Sequence, residues 1–179
     1  MIIAEHFDTI YYHMKYSISI KYYFILSVFI ALISLVSCDL SLKTDDLEAK
    51  EKLDISNFIS NNDTIDFEKK SSGLYYYDLI IGTGSQVETH DTAYVFYAIQ
   101  YLTTQVFETN FGTTDTLKFL VNEGKTLPGF DEGITYMKEG GKSLIVAPSN
   151  LAFGTQGNYY VAPFTPFLFQ IYLVKLKKH

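Results

Sequence analysis

The sequence has no tryptophan and no arginine, one cysteine and four prolines among its 179 residues. Each scarcity excludes something. Without arginine there is no planar fork for bidentate recognition of phosphate or carboxylate, and all 14 basic side chains are lysine point charges. The net charge is −6 and no basic stripe appears, which argues against a nucleic-acid partner. Cys38 has no second cysteine, so an intrachain disulfide is excluded and the redox compartment is not readable from pairing. The four histidines, His6, His13, His90 and His179, are scattered without ligand spacing, so neither a metal nor another cofactor is expected.

What the chain has in quantity is aromatic side chain, 15 Tyr and 14 Phe. Its front end reads as an export signal. Lys15 and Lys21 form a positive segment, Tyr22 to Val36 is apolar and uncharged, and Leu35-Val36-Ser37 ends in a small residue directly before Cys38. This resembles the bacterial lipobox, in which the cysteine is lipidated and becomes the first mature residue. The alternative is an uncleaved membrane helix, for which about 15–17 apolar residues lie near the lower limit. The stretch before Met14, with Glu5 and Asp8, does not suit a signal peptide, so Met14 is the expected start. The division that follows is a signal peptide over 1–37, a lipidated charged linker over 38–71, and a folded domain over 72–179.

The linker is the most charged part of the expected mature chain. Between Thr44 and Asn61 it has helical promise, with Thr44 as N-cap and Asp45 and Asp46 in the first turn. Leu47, Leu53, Phe58 and Ile59 make a partial apolar stripe, which Ile55 interrupts. A solvated spacer helix is the expectation, and a dimerising or docking helix the alternative.

From residue 73 onward the chain reads mainly as strand: Gly73 to Ile81, Thr92 to Leu102, Val106 to Asn110, Asp115 to Val121, Lys142 to Ala147 and Phe167 to Leu176. One segment breaks the pattern. Leu127-Pro128-Gly129-Phe130-Asp131-Glu132-Gly133-Ile134-Thr135-Tyr136-Met137 reads as a loop turning into a short helix, with Pro128 at its N-terminus and the acids in its first turn. Phe130, Ile134 and Met137 recur at helical spacing and share a face. The order predicts an α+β fold, a five- to six-stranded antiparallel sheet wrapped around one short helix.

This helix start, followed by Met137-Lys138-Glu139-Gly140, the strand ending Ala147-Pro148, and Leu151-Ala152-Phe153-Gly154, resembles the FKBP-type peptidyl-prolyl isomerases from about Ser72 to Lys177. The resemblance implies an apolar cup between helix and sheet. Carried over position by position, Phe130 takes the floor, where the family usually has tryptophan. Tyr97 and Phe107 match wall aromatics, Leu117 stands where an aromatic is common, and Phe169 and Val161 match the last strand and the long loop. Thr126 and Leu127 precede the helix, and the Leu127 N–H would bind a substrate carbonyl. Glu108 replaces the usual aspartate and Phe153 the usual tyrosine. Tyr160 or Tyr159 is the expected source of a substitute hydroxyl.

The implied activity is isomerisation of X–Pro bonds in proline-containing polypeptide clients, exported or resident in the envelope, by a protein attached to a bacterial membrane through lipid on Cys38. The implied catalytic positions are Glu108, Phe153 and Leu127. The alternative is an FKBP-like binding or chaperone module in an envelope, secretion or gliding-motility assembly. Exposed apolar surface at Tyr159, Tyr160 and Phe164 would favour it.

Overall fold

The computed structural model describes residues 43–179. The signal segment, Met14 and Cys38 lie outside the described residues. Among the described residues no helix is long and apolar enough to cross a membrane.

Residues 43–61 form helix α1. The sheet follows, with strands β1 (Glu68–Lys69), β2 (Tyr75–Ile80), β3 (Thr92–Tyr101), β4 (Val106–Thr109) and β5 (Leu117–Leu120). Helix α2 (Pro128–Thr135), strand β6 (Lys142–Ala147), a 3-10 turn (Ser149–Leu151) and strand β7 (Phe167–Lys177) complete it. Every pairing is antiparallel, in the order β1-β2-β6-β7-β3-β4. The long strand β3 pairs with β7 along one side. On its other side it gives its first half to β5, Thr92↔Leu120 to Val95↔Leu117, and its second half to β4. The expected α+β sheet around one short helix is therefore present, with seven strands once the two-residue β1 is counted.

Alternation along the central strands explains the layering, because successive strand residues face opposite sides. On β7, Phe167, Phe169, Ile171 and Leu173 face α2, and on β6 Ile145 and Ala147 do the same. Leu168 on β7 and Leu144 and Val146 on β6 face the other way, into a smaller cluster with Ile55, Phe58 and Ile59 of α1. Both faces of the sheet centre are covered, so consecutive residues are apolar along Leu144-Ile145-Val146-Ala147 of β6 and Phe167-Leu168-Phe169 of β7.

The α1 helix departs from the solvated spacer expected of it. It packs on the sheet through Ile55, Phe58 and Ile59, at i, i+3 and i+4. Ile55, read as an interruption, is the buried centre of that stripe, whereas Leu53, read as part of it, is 58% exposed. The compact unit of the chain starts at Leu47, and β1 is already part of the sheet.

Helix α2 begins as its sequence indicates, with Pro128 in its first turn and Leu127 as N-cap, whose carbonyl accepts the Phe130 and Asp131 N–H groups at 2.9 Å each. It lies hard against β6. A Cβ on Gly133 would stand 2.2 Å from Cδ1 of Ile145, and one on Gly129 would stand 2.9 Å from the Leu151 carbonyl oxygen. Those two glycines allow the approach. Asp131 does more than complement the helix dipole. It is buried, and its carboxylate accepts the N–H groups of Asn122 at 2.9 Å and Gly124 at 3.4 Å, which ties the preceding loop to the helix.

Candidate functional site

A cavity of about 460 Å³ opens between α2 and the sheet, lined by Tyr97, Ile99, Glu108, Leu117, Lys125, Thr126, Leu127, Phe130 and Phe153. Its floor is Phe130, held at the start of α2 and packed against three rings. The centroid distances are 5.6 Å to Tyr97, 5.8 Å to Phe119 and 5.9 Å to Phe169. These arrangements are T-shaped or tilted, the geometry in which ring edge meets ring face favourably.

The walls come from β3, β4 and β5. Tyr97 and Ile99 are two residues apart on β3 and so share a face. Tyr97 is fixed through its backbone as well as its ring. Its N–H donates to Asn110 Oδ1 at 2.7 Å, and its carbonyl accepts the Thr109 hydroxyl at 2.7 Å and the Asn110 N–H at 3.1 Å. Its phenol donates a hydrogen bond to the Glu108 carboxylate across the β3–β4 pair. Burial, and then the hydrogen bond to Glu108, push the Tyr97 hydroxyl up to about 12, so it stays a protonated donor. Glu108 is correspondingly occupied as an acceptor.

The rim is Phe153, on the loop after the 3-10 turn. Its ring packs 5.2 Å from Phe107 and 5.1 Å from Phe167. Two polar groups near the helix start lack partners among the described residues. Thr126 Oγ1 is buried without a hydrogen bond, and the Leu127 N–H donates to no protein acceptor. The cavity therefore combines mainly apolar walls with a free donor at one edge, a tyrosine–carboxylate pair, and Lys125 in its lining.

Most of the residues expected in the cup line it: Tyr97, Glu108, Leu117, Thr126, Leu127, Phe130 and Phe153. Four others are placed elsewhere. Phe107 stands behind Phe153, packed also against Tyr101 and Phe167. Phe169 is fully buried behind the floor, and Val161 is a core residue at the base of the long loop. Tyr160 is outside the lining altogether. It and Tyr159 are 77% and 94% exposed, and their rings pack on each other. Phe164, expected on the same exposed surface, is half-buried. Sequence reasoning missed Ile99 and Lys125. Ile99 was available from β3 alternation in phase with Tyr97, whereas Lys125 carries no signal of its own.

The sequence model of the FKBP_C family, FKBP-type peptidyl-prolyl cis-trans isomerase, matches residues 83–174, just over half of the chain. The chain belongs to the FKBP-type peptidyl-prolyl isomerase family. Among related proteins, this family member is 31% identical to peptidyl-prolyl cis-trans isomerase FKBP17-2, chloroplastic, of Arabidopsis thaliana, over 62% of this chain and 50% of that protein. It is 29% identical to the FKBP-type isomerase FkpA of Escherichia coli K12, over 60% of this chain and 39% of that protein. The chain spans half or less of the length of these curated relatives. In fold it is similar to the crystal structure of FkpA from Escherichia coli, with a TM-score of 0.66 at 23% identity, covering 86% of this chain and 71% of that one. It is also similar to AtFKBP13, with a TM-score of 0.57 at 25% identity, covering 63% and 99%.

Proposed function

We propose that this FKBP-type protein catalyses cis–trans isomerisation of X–Pro bonds in exported or envelope polypeptides, and is held at a bacterial membrane by lipid on Cys38. The observation that carries the catalytic part is the joint placement of Phe130, Tyr97 and Phe153 around one cavity, with the Leu127 N–H, which has no acceptor among the described residues, at its edge.

The chemistry needs no nucleophile. Rotation about X–Pro breaks amide resonance against a barrier of roughly 18–20 kcal/mol, and the free reaction takes tens of seconds or longer. The twisted amide separates less charge across its C, N and O atoms than the planar one. A cup that excludes water therefore disfavours the planar state relative to the twisted state, and each ~1.4 kcal/mol of that difference gives a tenfold rate. Phe130 supports the proline ring, the Leu127 N–H holds the carbonyl oxygen, and the Tyr97–Glu108 pair fixes the wall. Glu108 orients Tyr97 and takes no proton from the substrate.

The test is the cis-to-trans rate of a short X–Pro reporter peptide with the full-length chain. Acceleration above the spontaneous rate supports the reading, and no acceleration by protein shown to be folded refutes it. A second reading, a binding or chaperone module, is favoured by two observations. Phe153 has no hydroxyl to offer a ligand, and the Tyr159–Tyr160 pair is exposed. It predicts suppression of client aggregation that survives any loss of isomerase rate and falls when both tyrosines are changed to serine.

A further inference from the structure

The rim of the cup depends on a residue outside both the cup and the family-matched region. Glu51 on α1 is only 7% exposed, and carboxylates are seldom buried unless they have partners. Its neighbours Lys50 and Lys52 pair with Asp54 and Glu48 instead. Both Glu51 oxygens are taken up by one residue, Ser149. One accepts the Ser149 N–H, and the other accepts the Ser149 hydroxyl at 3.0 Å. Ser149 is itself buried and opens the 3-10 turn, where a backbone N–H has no partner within the turn. The chain of bonds then continues. The Ser149 carbonyl accepts the N–H of Ala152 at 3.0 Å and of Gly154 at 2.7 Å. Those two residues flank Phe153.

We propose that Glu51 is a positioning residue, whose carboxylate fixes Ser149 and with it the backbone that aims Phe153 into the cup. Helix α1 thereby sets the shape of the rim from outside it. The catalytic readout of this idea rests on the isomerase reading above, whereas its backbone readout does not.

The test uses Glu51→Ala and Glu51→Gln in the full-length chain, each alone and combined with Phe153→Ala. Amide hydrogen exchange and the X–Pro reporter assay are run on the same preparations. In Glu51→Ala, exchange at Ala152 and Gly154 rises by about tenfold or more, while the β7 amides keep their protection. Its kcat/KM falls by about threefold to tenfold. In the Phe153→Ala background the same change alters kcat/KM by less than about twofold, because the effect passes through Phe153. Glu51→Gln recovers part of both, since an amide oxygen still accepts the Ser149 N–H. If the alanine variant does not fold, the glutamine variant and Ser149→Ala carry the same comparison. Unchanged exchange at Ala152 and Gly154, or a full loss of kcat/KM that persists without the Phe153 ring, overturns the proposal. Should the parent protein show no acceleration, the isomerase reading falls and the exchange result alone decides whether Glu51 holds the rim.

Discussion

Replacing Phe130 tests the floor most directly, because its loss has two separable consequences. The side chain is almost fully buried and meets the rings of Tyr97, Phe119 and Phe169. Truncation to alanine in a core costs about 3–5 kcal/mol. The aromatic pairs account for about 0.5–1.5 kcal/mol each beyond area. Against a typical domain stability of roughly 5–15 kcal/mol, that loss weakens the protein severely. Phe130→Leu is the more useful variant. It removes about three carbons, or ~2.4 kcal/mol at ~0.8 kcal/mol per buried carbon, and leaves a folded domain. If the proline ring rests on Phe130, kcat/KM falls about tenfold with leucine and about a hundredfold with alanine, equivalent to ~1.4 and ~2.7 kcal/mol. The reporter assay and urea unfolding are read together on each protein. A Phe130→Leu variant whose unfolding midpoint drops as calculated, yet whose kcat/KM stays within about twofold of the parent, refutes the placement of substrate on this ring.

Phe153→Tyr places a hydroxyl at the rim of the cavity, and a new hydrogen bond to the bound carbonyl group, worth about 1 kcal/mol, raises kcat/KM by severalfold; a rate equal to or below the parent's counts against the rim assignment. Gly133→Ala drives a methyl into Cδ1 of fully buried Ile145 and costs about 1–3 kcal/mol in thermal or urea unfolding. Adding Ile145→Val, which deletes that Cδ1, recovers part of the loss, and strict additivity of the two changes would show that the clash is not the cause. The Tyr97 phenol is raised to about 12 by burial and then by Glu108, so the folded protein holds this proton after the unfolded chain has released it near the ordinary value of about 10. Its contribution to stability is therefore complete below pH 10 and is lost as pH rises towards 12. Unfolding measured across that window is expected to be less steep in Tyr97→Phe, with part of the slope remaining because Tyr76 and Tyr136 are also raised.

Legibility in the sequence followed periodicity and local backbone chemistry. Pro128 and Gly129 marked the start of α2, and the spacing of Phe130 and Ile134 marked its buried face, because both signals are local; Met137, read as the third member of that face, is buried but lies beyond the C-cap Tyr136. The strands were legible from their branched and aromatic runs. The docking of α1 was not, because the buried face of a short helix with few apolar residues is chosen by its partner. Leu53 and Ile55 are equally apolar, and only the presence of Val146 and Leu168 beneath the helix selects Ile55. Buried Glu51 was illegible for a stronger reason. A carboxylate on a helix defaults to solvent, and the orphan N–H at Ser149 that draws it inward lies 98 residues along the chain. The cup was only partly legible. Phe107, Phe169 and Val161 are aromatic or aliphatic residues near the site, and nothing in sequence distinguishes the ring that lines a cavity from the ring directly behind it.

That last distinction has a physical consequence. The aromatic residues form a floor group, Phe130 with Tyr97, Phe119 and Phe169, and a rim group, Phe153 with Phe107, Phe167 and Tyr101. The floor is continuous with the core under α2, so on the isomerase reading proposed above a substitution there changes stability and substrate fit together. The rim ring sits on a loop, held from below by Phe107 and Phe167 and along its backbone by Ser149. A change at the outer edge of Phe153 disturbs few core contacts and alters mainly what the cup presents to a substrate. The same separation explains how a phenylalanine can stand at the rim without disturbing the fold. On the proposed isomerase reading it also means that selectivity is more readily changed through Phe153 and its supports than through Phe130, where each alteration is opposed by the packing of the core.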